Sequence, residues 1–138
     1  MRFMVIVKAS KDSEAGVMPS TELLTAMGKF NEEMAKAGII EAGEGLHPTT
    51  KGARIKYSDG QGGVSRGPFS LTGDLVSGFW LINTKSLDEA IDWMKRAPFG
   101  PGAEIEIRQV ISAEDFGEAF TPELREQEER TRAYAAKK

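Results

Sequence analysis

The residue with the widest chemical scope in this 138-residue chain is its single histidine, His47, three positions after Glu44. Imidazole is the side chain whose unperturbed pKa lies near neutral pH, and beside a carboxylate it can act as a general base or acid. If the chain is catalytic, we expect His47 to transfer the proton and Asp74 to be its acidic partner. The alternative is a loop histidine that caps a backbone carbonyl.

A second set of residues would bind a ligand rather than react with it. Arg66 stands just before a Gly-Pro turn, where a planar guanidinium can clamp a carboxylate or phosphate. It could equally pair with Asp74 or lie in solvent. Trp80 lies in a strongly apolar segment, where it would form either the floor of a ligand pocket or part of the core. Glu44 and Phe69 complete the candidate substrate-binding set.

Composition and motif context argue against several classes of site and partner. The chain has no cysteine and one histidine, so we expect no metal site, no cofactor and no disulfide. Its glycine-rich stretch 60–63 lacks the Lys-Ser/Thr that follows in a phosphate-binding loop. A net charge of -3 argues against a nucleic-acid partner. No apolar run reaches membrane-spanning length, and we expect a cytoplasmic protein without a membrane partner.

The elements that would position these residues follow from apolar periodicity. Strands are predicted at 3–7, 39–46, 76–83 and 104–111, with helices at 20–37 and from Ser86 to just before Pro98. The first and third strands are apolar on both faces, which is typical of central strands. Gly38 stands where a helix C-cap belongs, and the second helix opens with the Ser-x-x-Glu spacing of a capping box.

Two segments are predicted outside this framework. Residues 53–57 alternate in polarity, 59–63 are turn residues and 64–66 can return, which predicts a β-hairpin insert. Thr121-Pro122-Glu123 is a typical helix start, but the helix that follows is almost entirely polar. We therefore predict a domain over 1–111 and a C-terminal helical extension over 112–138.

The order of elements is β-α-β, a hairpin insert, then β-α-β. This predicts an α+β fold of ferredoxin-like, split βαβ topology, with an antiparallel sheet and two helices on one face. Two helices can cover only that face, so the other apolar face would be exposed in a monomer. We therefore expect a homodimer through the sheet face. The alternative is that the hairpin or the tail folds over it.

Several stretches of the chain also form a recognisable series. They are Gly43-Glu44-Gly45-Leu46-His47-Pro48, Arg66-Gly67-Pro68-Phe69, Gly78-Phe79-Trp80-Leu81, Asp88-Glu89-Ala90-Ile91-Asp92-Trp93 and Ile105-Glu106-Ile107-Arg108. In this order the chain resembles the YCII-related proteins over roughly 1–111, in particular the branch named for its Asp-Gly-Pro-Phe (DGPF) motif. The resemblance implies a dimeric α+β barrel on the ferredoxin-like fold. Its superfamily includes small-ring isomerases and monooxygenases that place substrate between sheet and helices.

The chain departs from the pattern of that branch, which is close to Asp-Gly-Pro-Phe-x-Glu-Thr-Lys-Glu. Arg66, Leu71 and Gly73 replace its Asp, its first Glu and its Lys, whereas Thr72 and the acidic Asp74 remain. If those groups carried an ancestral chemistry, that chemistry is lost or altered here. The His–Asp pair proposed for other YCII-related members has only His47 as a possible counterpart.

Two functions are compatible with these residues, and whether the protein is an enzyme stays open. The first is binding or transformation of a small organic acid or ring compound, in a pocket between sheet and helices or at the dimer cleft. It predicts a concave pocket that contains His47, Arg66 and Asp74. The second is a non-catalytic dimeric regulatory or interaction module, which predicts no pocket and a tail that extends from the body.

Overall fold

The computed structural model of the chain describes residues 1–58 and 61–137. Within these residues it contains six strands and four α-helices, with short 3-10 turns at Thr49–Lys51 and Ala113–Ala119. The strands are β1 (Arg2–Lys8), β2 (Ile40–Gly45), β3 (Ala53–Ser58), β4 (Gln61–Arg66), β5 (Val76–Asn83) and β6 (Ile105–Gln109). The helices are α1 (Lys11–Glu14), α2 (Thr21–Lys36), α3 (Leu87–Met94) and α4 (Pro122–Ala136).

The main sheet has four strands in the order β2-β5-β1-β6, and every neighbouring pair is antiparallel. The α+β class with an antiparallel sheet is therefore confirmed. The two central strands are β1 and β5, whose sequences are apolar on both faces. A central strand has neighbours on both sides and can meet protein above and below, which explains this pattern.

The core lies on one face of this sheet, which we call the helix-covered face. Val5 on β1 is opposite Trp80 on β5, and Phe3 is opposite Ile82, so all four side chains project to the same side. They pack in one cluster with two buried residues from each of the long helices that cross them, namely Phe30, Met34, Ala90 and Met94. Burying a Val, Ile, Phe or Met side chain of this cluster stabilises the fold by about 1.5–3 kcal/mol.

The opposite face of the sheet, which we call the open face, carries the alternate residues of the same strands. Met4 is opposite Leu81 and Ile6 is opposite Phe79, and all four side chains are only half-buried. The buried residues of α2 and α3 all belong to the cluster on the helix-covered face. The open face therefore presents apolar side chains that these helices do not cover.

The helix ends agree with the predicted caps except at one point. The Ser20 hydroxyl accepts a hydrogen bond from the Leu23 N–H (3.1 Å), and Gly38 has φ 73° just after α2. At α3, Ser86 accepts from the Glu89 N–H. The Glu89 carboxylate accepts from Lys85 instead of Ser86, so only half of the predicted capping box is present.

The chain between β1 and α2 is helical over one turn, where no element was predicted. It contains the single-turn helix α1. The reciprocal hydrogen bonds between Ser10 and Ser13 close its first turn, with Ser13 N–H donating to Ser10 Oγ and Ser10 N–H to Ser13 Oγ. Two serines three residues apart form this capping box where the usual pattern has Glu or Gln, so the motif gave no recognisable signal.

The predicted hairpin is confirmed. β3 and β4 pair along their whole length, from Ala53 opposite Arg66 to Ser58 opposite Gln61. The return strand starts earlier than predicted, because Gly62 and Gly63 pair with β3. Asp59 and Gly60, also predicted as turn residues, lie outside the described residues. The last strand of the main sheet is shorter than predicted: it ends at Gln109, and Ile111 beyond it is exposed.

The tail forms α4 with the predicted start, since the Thr121 hydroxyl accepts from the Leu124 N–H and Pro122 is the first helical residue. Its large apolar residues Leu124 and Tyr134 are exposed. Phe116 and Phe120 stack on each other, with ring centroids 5.6 Å apart. Among the described helices, none is both long enough and apolar enough to cross a membrane.

Candidate functional site

A cavity of about 530 Å³ lies between the helix-covered face of the sheet and α2. Trp80 forms its inner wall, where the cavity meets the core. The remaining wall comes from α1, from the α2 residues Leu23, Leu24 and Met27, and from the Phe99 segment between α3 and β6.

The cavity exists because the sheet carries glycines at this end of its helix-covered face. Gly43 is opposite Trp80, and Gly45 is opposite Gly78. A Cβ on Gly43 would stand 2.6 Å from Trp80 Cδ1, and one on Gly78 would stand 3.0 Å from the Glu44 carbonyl oxygen, so packing explains both residues. A Cβ on Gly45 would meet nothing within 4 Å. Gly45 therefore leaves space that a side chain could fill.

Trp80 is both a core residue and a cavity wall. Its ring meets Phe30 and Phe99 edge-to-face, with centroid distances of 5.9 and 6.0 Å. It is 5% exposed. The two roles weighed for this residue thus coincide, because one side of the indole packs in the core and another borders the cavity.

The polar groups on the cavity side are neutral. The Trp80 Nε1–H donates to Asn31 Oδ1 on α2 at 2.9 Å. Ser10 and Ser13 line the cavity from α1, where their side chains are engaged in the cap of that helix. Ser77 on β5 also borders the cavity, but it shares the side of Phe79. Its hydroxyl donates to the carbonyls of Val7 (3.4 Å) and Lys8 (3.5 Å).

Two of the three charged residues at the cavity turn their side chains to the other side of the sheet. Glu44 is opposite Phe79, so strand alternation directs its carboxylate to the open face. The Lys8 ammonium lies 3.4 Å from Glu106, which is opposite Ile6 on the open face. Glu104 precedes β6 and is exposed. All three residues line the cavity, but Lys8 and Glu44 direct their charges away from its helix-covered side.

The other predicted site residues lie away from the cavity. His47, Arg66 and Asp74 are exposed, and none of them lines it. Phe69 is half-buried beneath the Arg54 guanidinium, 3.9 Å from the ring centroid. A single chain therefore brings Glu44 and Trp80 to the cavity but not the proposed proton-transfer pair. Among residues 1–58 and 61–137 no group of three or more His, Asp or Glu side chains is arranged to hold a metal.

The segment with the Gly-Pro-Phe motif attaches the hairpin to the body. Gly67 donates its N–H to the Gly52 carbonyl at 3.0 Å. A Cβ on Gly67 would stand 1.6 Å from the Thr49 carbonyl oxygen, so only glycine allows this close approach. The motif glycine is thus required by backbone packing at the base of the hairpin.

Thr49 extends this attachment to α1. Its N–H and hydroxyl donate to the two oxygens of the Glu14 carboxylate at 3.0 and 2.7 Å, and its hydroxyl accepts from the Phe69 N–H at 2.9 Å. Glu14 adjoins Ser13, which lines the cavity. We call this set, Glu14, Thr49, Gly67 and Phe69, the hairpin anchor, and it links the motif segment to one wall of the cavity.

A second crevice, of about 560 Å³, lies between one end of the sheet and α4. Arg2 forms an ion pair with Glu41 there at 2.9 Å, and Glu128 and Arg132 of α4 line the crevice. The hydrogen bond from Arg2 lowers the pKa of the Glu41 carboxyl, and a further one from Asn83 acts in the same direction.

Comparison with known proteins identifies the family. Residues 1–114 match the YCII-related domain. The chain belongs to the YCII-related family. The predicted family resemblance is thereby confirmed, and the matched range contains both the cavity and the hairpin anchor.

Two further similarities accompany this match. A protein of Rhizobium meliloti described as uncharacterized is 36% identical over 86 residues, which cover 62% of this chain and 64% of that protein, less than two thirds of its length. A solved structure of 5-chloro-2-hydroxyhydroquinone dehydrochlorinase from Burkholderia phenoliruptrix, in complex with 2,5-dihydroxybenzoquinone, aligns with a TM-score of 0.39 and 14% identity. That alignment covers 77% of this chain and 91% of the other.

Two cavity residues of this YCII-related domain were missed at the level of sequence. Asn31 follows Met27 by one helical turn, so a polar residue interrupts the apolar side of α2, and that interruption was the available signal. Gly45 lies within the predicted strand 39–46, where a glycine can simply mark a turn or bulge. A glycine inside a strand can instead mark close approach of a ligand, and the space beside Gly45 distinguishes the two explanations.

Proposed function

We propose that this protein binds a small organic molecule with a ring-sized, largely apolar body in the cavity beside Trp80. The observation that carries the proposal is the cavity itself, kept open at Gly45 where no packing requirement calls for glycine. Its volume of about 530 Å³ lies within the ordinary range of small-molecule sites, roughly 300–1,000 Å³. Binding, rather than proton transfer, is the function proposed, because His47 and Asp74 do not line the cavity.

The test uses the indole N–H of Trp80 as a reporter in ¹H–¹⁵N NMR spectra. The chain has two tryptophans, and Trp93→Phe assigns the signal of Trp80. We expect small ring compounds, such as phenols and cyclic ketones, to shift this signal in a saturable way. Gly45→Val should weaken such binding at least tenfold by filling the cavity.

Gly63→Val is the matched control for that substitution. Gly63 is also a strand glycine with room for a Cβ, but it lies in the exposed hairpin. The Gly63→Val substitution should leave ligand binding unchanged. A broad ring-compound panel that shifts neither the Trp80 signal nor the melting temperature would refute the proposal, as would equal binding by the Gly45→Val protein.

We further propose that the protein is a homodimer joined through its open faces. At the centre of this face lie Met4, Ile6, Phe79 and Leu81. Charged pairs surround them, including Lys8–Glu106 and Arg2–Glu41. An apolar centre with a polar rim is the usual anatomy of a protein interface. Face-to-face packing of two such sheets would complete the dimeric α+β barrel of ferredoxin-like topology that the family resemblance implies.

Light scattering coupled to gel filtration tests this assembly. Ile6→Lys places a charge in the middle of the open face and should convert the dimer to a monomer. Ile55→Lys places the same charge on the hairpin, where Ile55 is 54% exposed, and should leave the dimer intact. A monomeric wild-type protein, or dissociation by Ile55→Lys alone, would contradict the proposed interface.

Three finer assignments stay proposals. Membership of the DGPF branch is supported by the Gly67-Pro68-Phe69 segment, whose glycine has a structural requirement at Thr49. A domain over 1–111 with an extension over 112–138 is supported by the exposed apolar residues of α4. A cytoplasmic location is supported by the absence of cysteine.

A non-catalytic interaction module is the second candidate, and one feature favours it. Ile55, Tyr57 and Val64 project from the same face of the hairpin, and all three are more than half exposed. Apolar side chains grouped in this way commonly mark a contact surface. If Tyr57→Ser abolished a cellular association while Gly45→Val did not, the interaction role would be favoured over ligand binding.

A further inference from the structure

The side chain of Asn31 offers information about the ligand that the cavity alone does not. It lies half-buried on α2 and lines the cavity between apolar residues. A polar amide in such surroundings lowers stability unless its hydrogen-bonding groups are satisfied. Its contacts therefore show which groups are already engaged and which face the cavity.

The orientation of this amide is determined by Trp80. An indole N–H can only donate, so the Asn31 atom 2.9 Å from Trp80 Nε1 must be the carbonyl oxygen Oδ1. The amide nitrogen Nδ2, with two N–H groups, is then the atom left for the cavity. Within residues 1–58 and 61–137, the bond from Trp80 is the only hydrogen bond of this side chain. Asn31 thus presents a donor, held in place by a buried ring.

The surroundings of this donor determine which charge a ligand can carry. The other polar side chains on the cavity side are the hydroxyls of Ser10 and Ser13, which are engaged with each other's backbone. Of the charged residues at the cavity, Lys8 and Glu44 project to the open face, where Lys8 is paired with Glu106. The third, Glu104, is exposed to water. An ionised ligand would lose hydration here without gaining a counter-ion, which is unfavourable.

We propose that Asn31 is the recognition residue of the cavity and that its ligand is an uncharged molecule with an acceptor oxygen, a carbonyl or a hydroxyl. The oxygen accepts from Asn31 Nδ2, and the apolar body lies against Trp80 and Phe99. This inference rests on the proposed ligand-binding function, and it selects the neutral ring compound over the organic acid among the ligands considered for this chain.

A matched ligand series tests the charge preference. Acetophenone, benzoate and benzylamine share one ring and differ in the charge of the substituent. At pH 7 and fixed ionic strength, the Trp80 indole signal should report acetophenone binding at least tenfold tighter than either ion. Tighter binding of benzoate or benzylamine, or equal binding of all three, would overturn the inference.

Asn31→Asp tests the residue itself. The aspartate can still accept the hydrogen bond from Trp80, so the wall is retained, while the donor is replaced by a negative charge. Acetophenone affinity should fall at least tenfold and benzylamine should become the preferred ligand of the series. Lys29→Gln changes the net charge by the same unit on the exposed side of α2. It should change neither the affinity for acetophenone nor the order of affinities within the series.

The outcomes separate this inference from the function on which it rests. If ring compounds bind and Gly45→Val abolishes their binding, but Asn31→Asp leaves the order of the series unchanged, the cavity is a binding site and Asn31 is not its recognition residue. If no member of the series or of the wider panel binds to the wild type, both proposals fall.

Discussion

The four-stranded sheet and the two-stranded hairpin hold the same residue type in opposite environments. Ile82 in β5 is fully buried beneath the helices, whereas Ile55 in β3 is 54% exposed. β5 has a strand on each side and helices over one face, while β3 is paired only with β4. The alternation of apolar and polar residues in β3 therefore indicates a strand with two unlike faces, but it does not determine what covers either face.

The two regions are also held in place by different forces. The main sheet is stabilised by apolar burial around Trp80. An isolated two-stranded hairpin is only marginally stable in water. Here the polar hairpin anchor, centred on Thr49, joins the hairpin to α1. Arg54 adds a contact over the Phe69 ring.

The largest expected difference between the regions comes from the same substitution made in each. Ile82→Ala should lower the free energy of unfolding by about 2–5 kcal/mol, because it leaves a cavity in the core. Ile55→Ala should change it by less than about 0.5 kcal/mol. Urea unfolding measures both values. A loss at Ile55 comparable to that at Ile82 would mean that another surface covers the hairpin.

A second substitution tests the close approach at the hairpin base. Gly67→Ala forces the added carbon into the Thr49 carbonyl, so we expect a loss of about 1–3 kcal/mol, typical of overpacking. Amide exchange in β3 and β4 should accelerate more than in β1 and β5. Gly63→Ala is the control and should have little effect, because its Cβ would make only an ordinary contact of 3.7 Å with the Lys56 carbonyl oxygen. Unchanged amide exchange in β3 and β4 would mean that the hairpin anchor does not stabilise the hairpin.

The hydroxyl of Thr49 provides a smaller test of the same link. Thr49→Val keeps the shape but removes the acceptor for Phe69 and one donor to Glu14, which should cost about 1–2 kcal/mol. Thr49→Ser retains these bonds and should remain close to wild type. If the Thr49→Val and Thr49→Ser proteins have the same melting temperature, the Thr49 hydroxyl does not stabilise the attachment of the hairpin.

The smallest effect is expected at the edge of the main sheet, where Arg2 meets Glu41. The pKa of Glu41 is lowered in the folded protein, so the pair stabilises the fold above the unfolded pKa, and this contribution is lost as pH falls through the lowered value. Glu41→Gln should cost less than about 1 kcal/mol at pH 7, because the pair is partly exposed. The difference in the free energy of unfolding between Glu41→Gln and wild type should disappear at a pH below the lowered pKa of Glu41. Urea unfolding at pH 7 and at that acidic pH would show this. A cost that persists there would have a cause other than the ion pair.

The candidate site was only partly predictable from sequence. Trp80 and Glu44 were selected and do line the cavity, although strand alternation turns the Glu44 carboxylate to the open face. His47, Arg66 and Asp74 were selected for their chemistry, and their roles stay predictions. Asn31 and Gly45 were missed, since neither residue type is distinctive until its neighbours in space are known.

The sequence by itself determined the local elements of this protein and its family. Apolar periodicity and capping residues such as Ser20 and Thr121 act within a few positions of the chain, so the four strands of the main sheet and the helices α2, α3 and α4 could be derived without knowledge of the fold. The short helix α1 was missed, and β4 and β6 have other bounds than predicted. The tertiary structure alone decided that glycines from β2 and β5 meet beneath α2, and that Asn31 turns its oxygen to Trp80. These features depend on pairing between residues far apart in the chain, which no local pattern encodes.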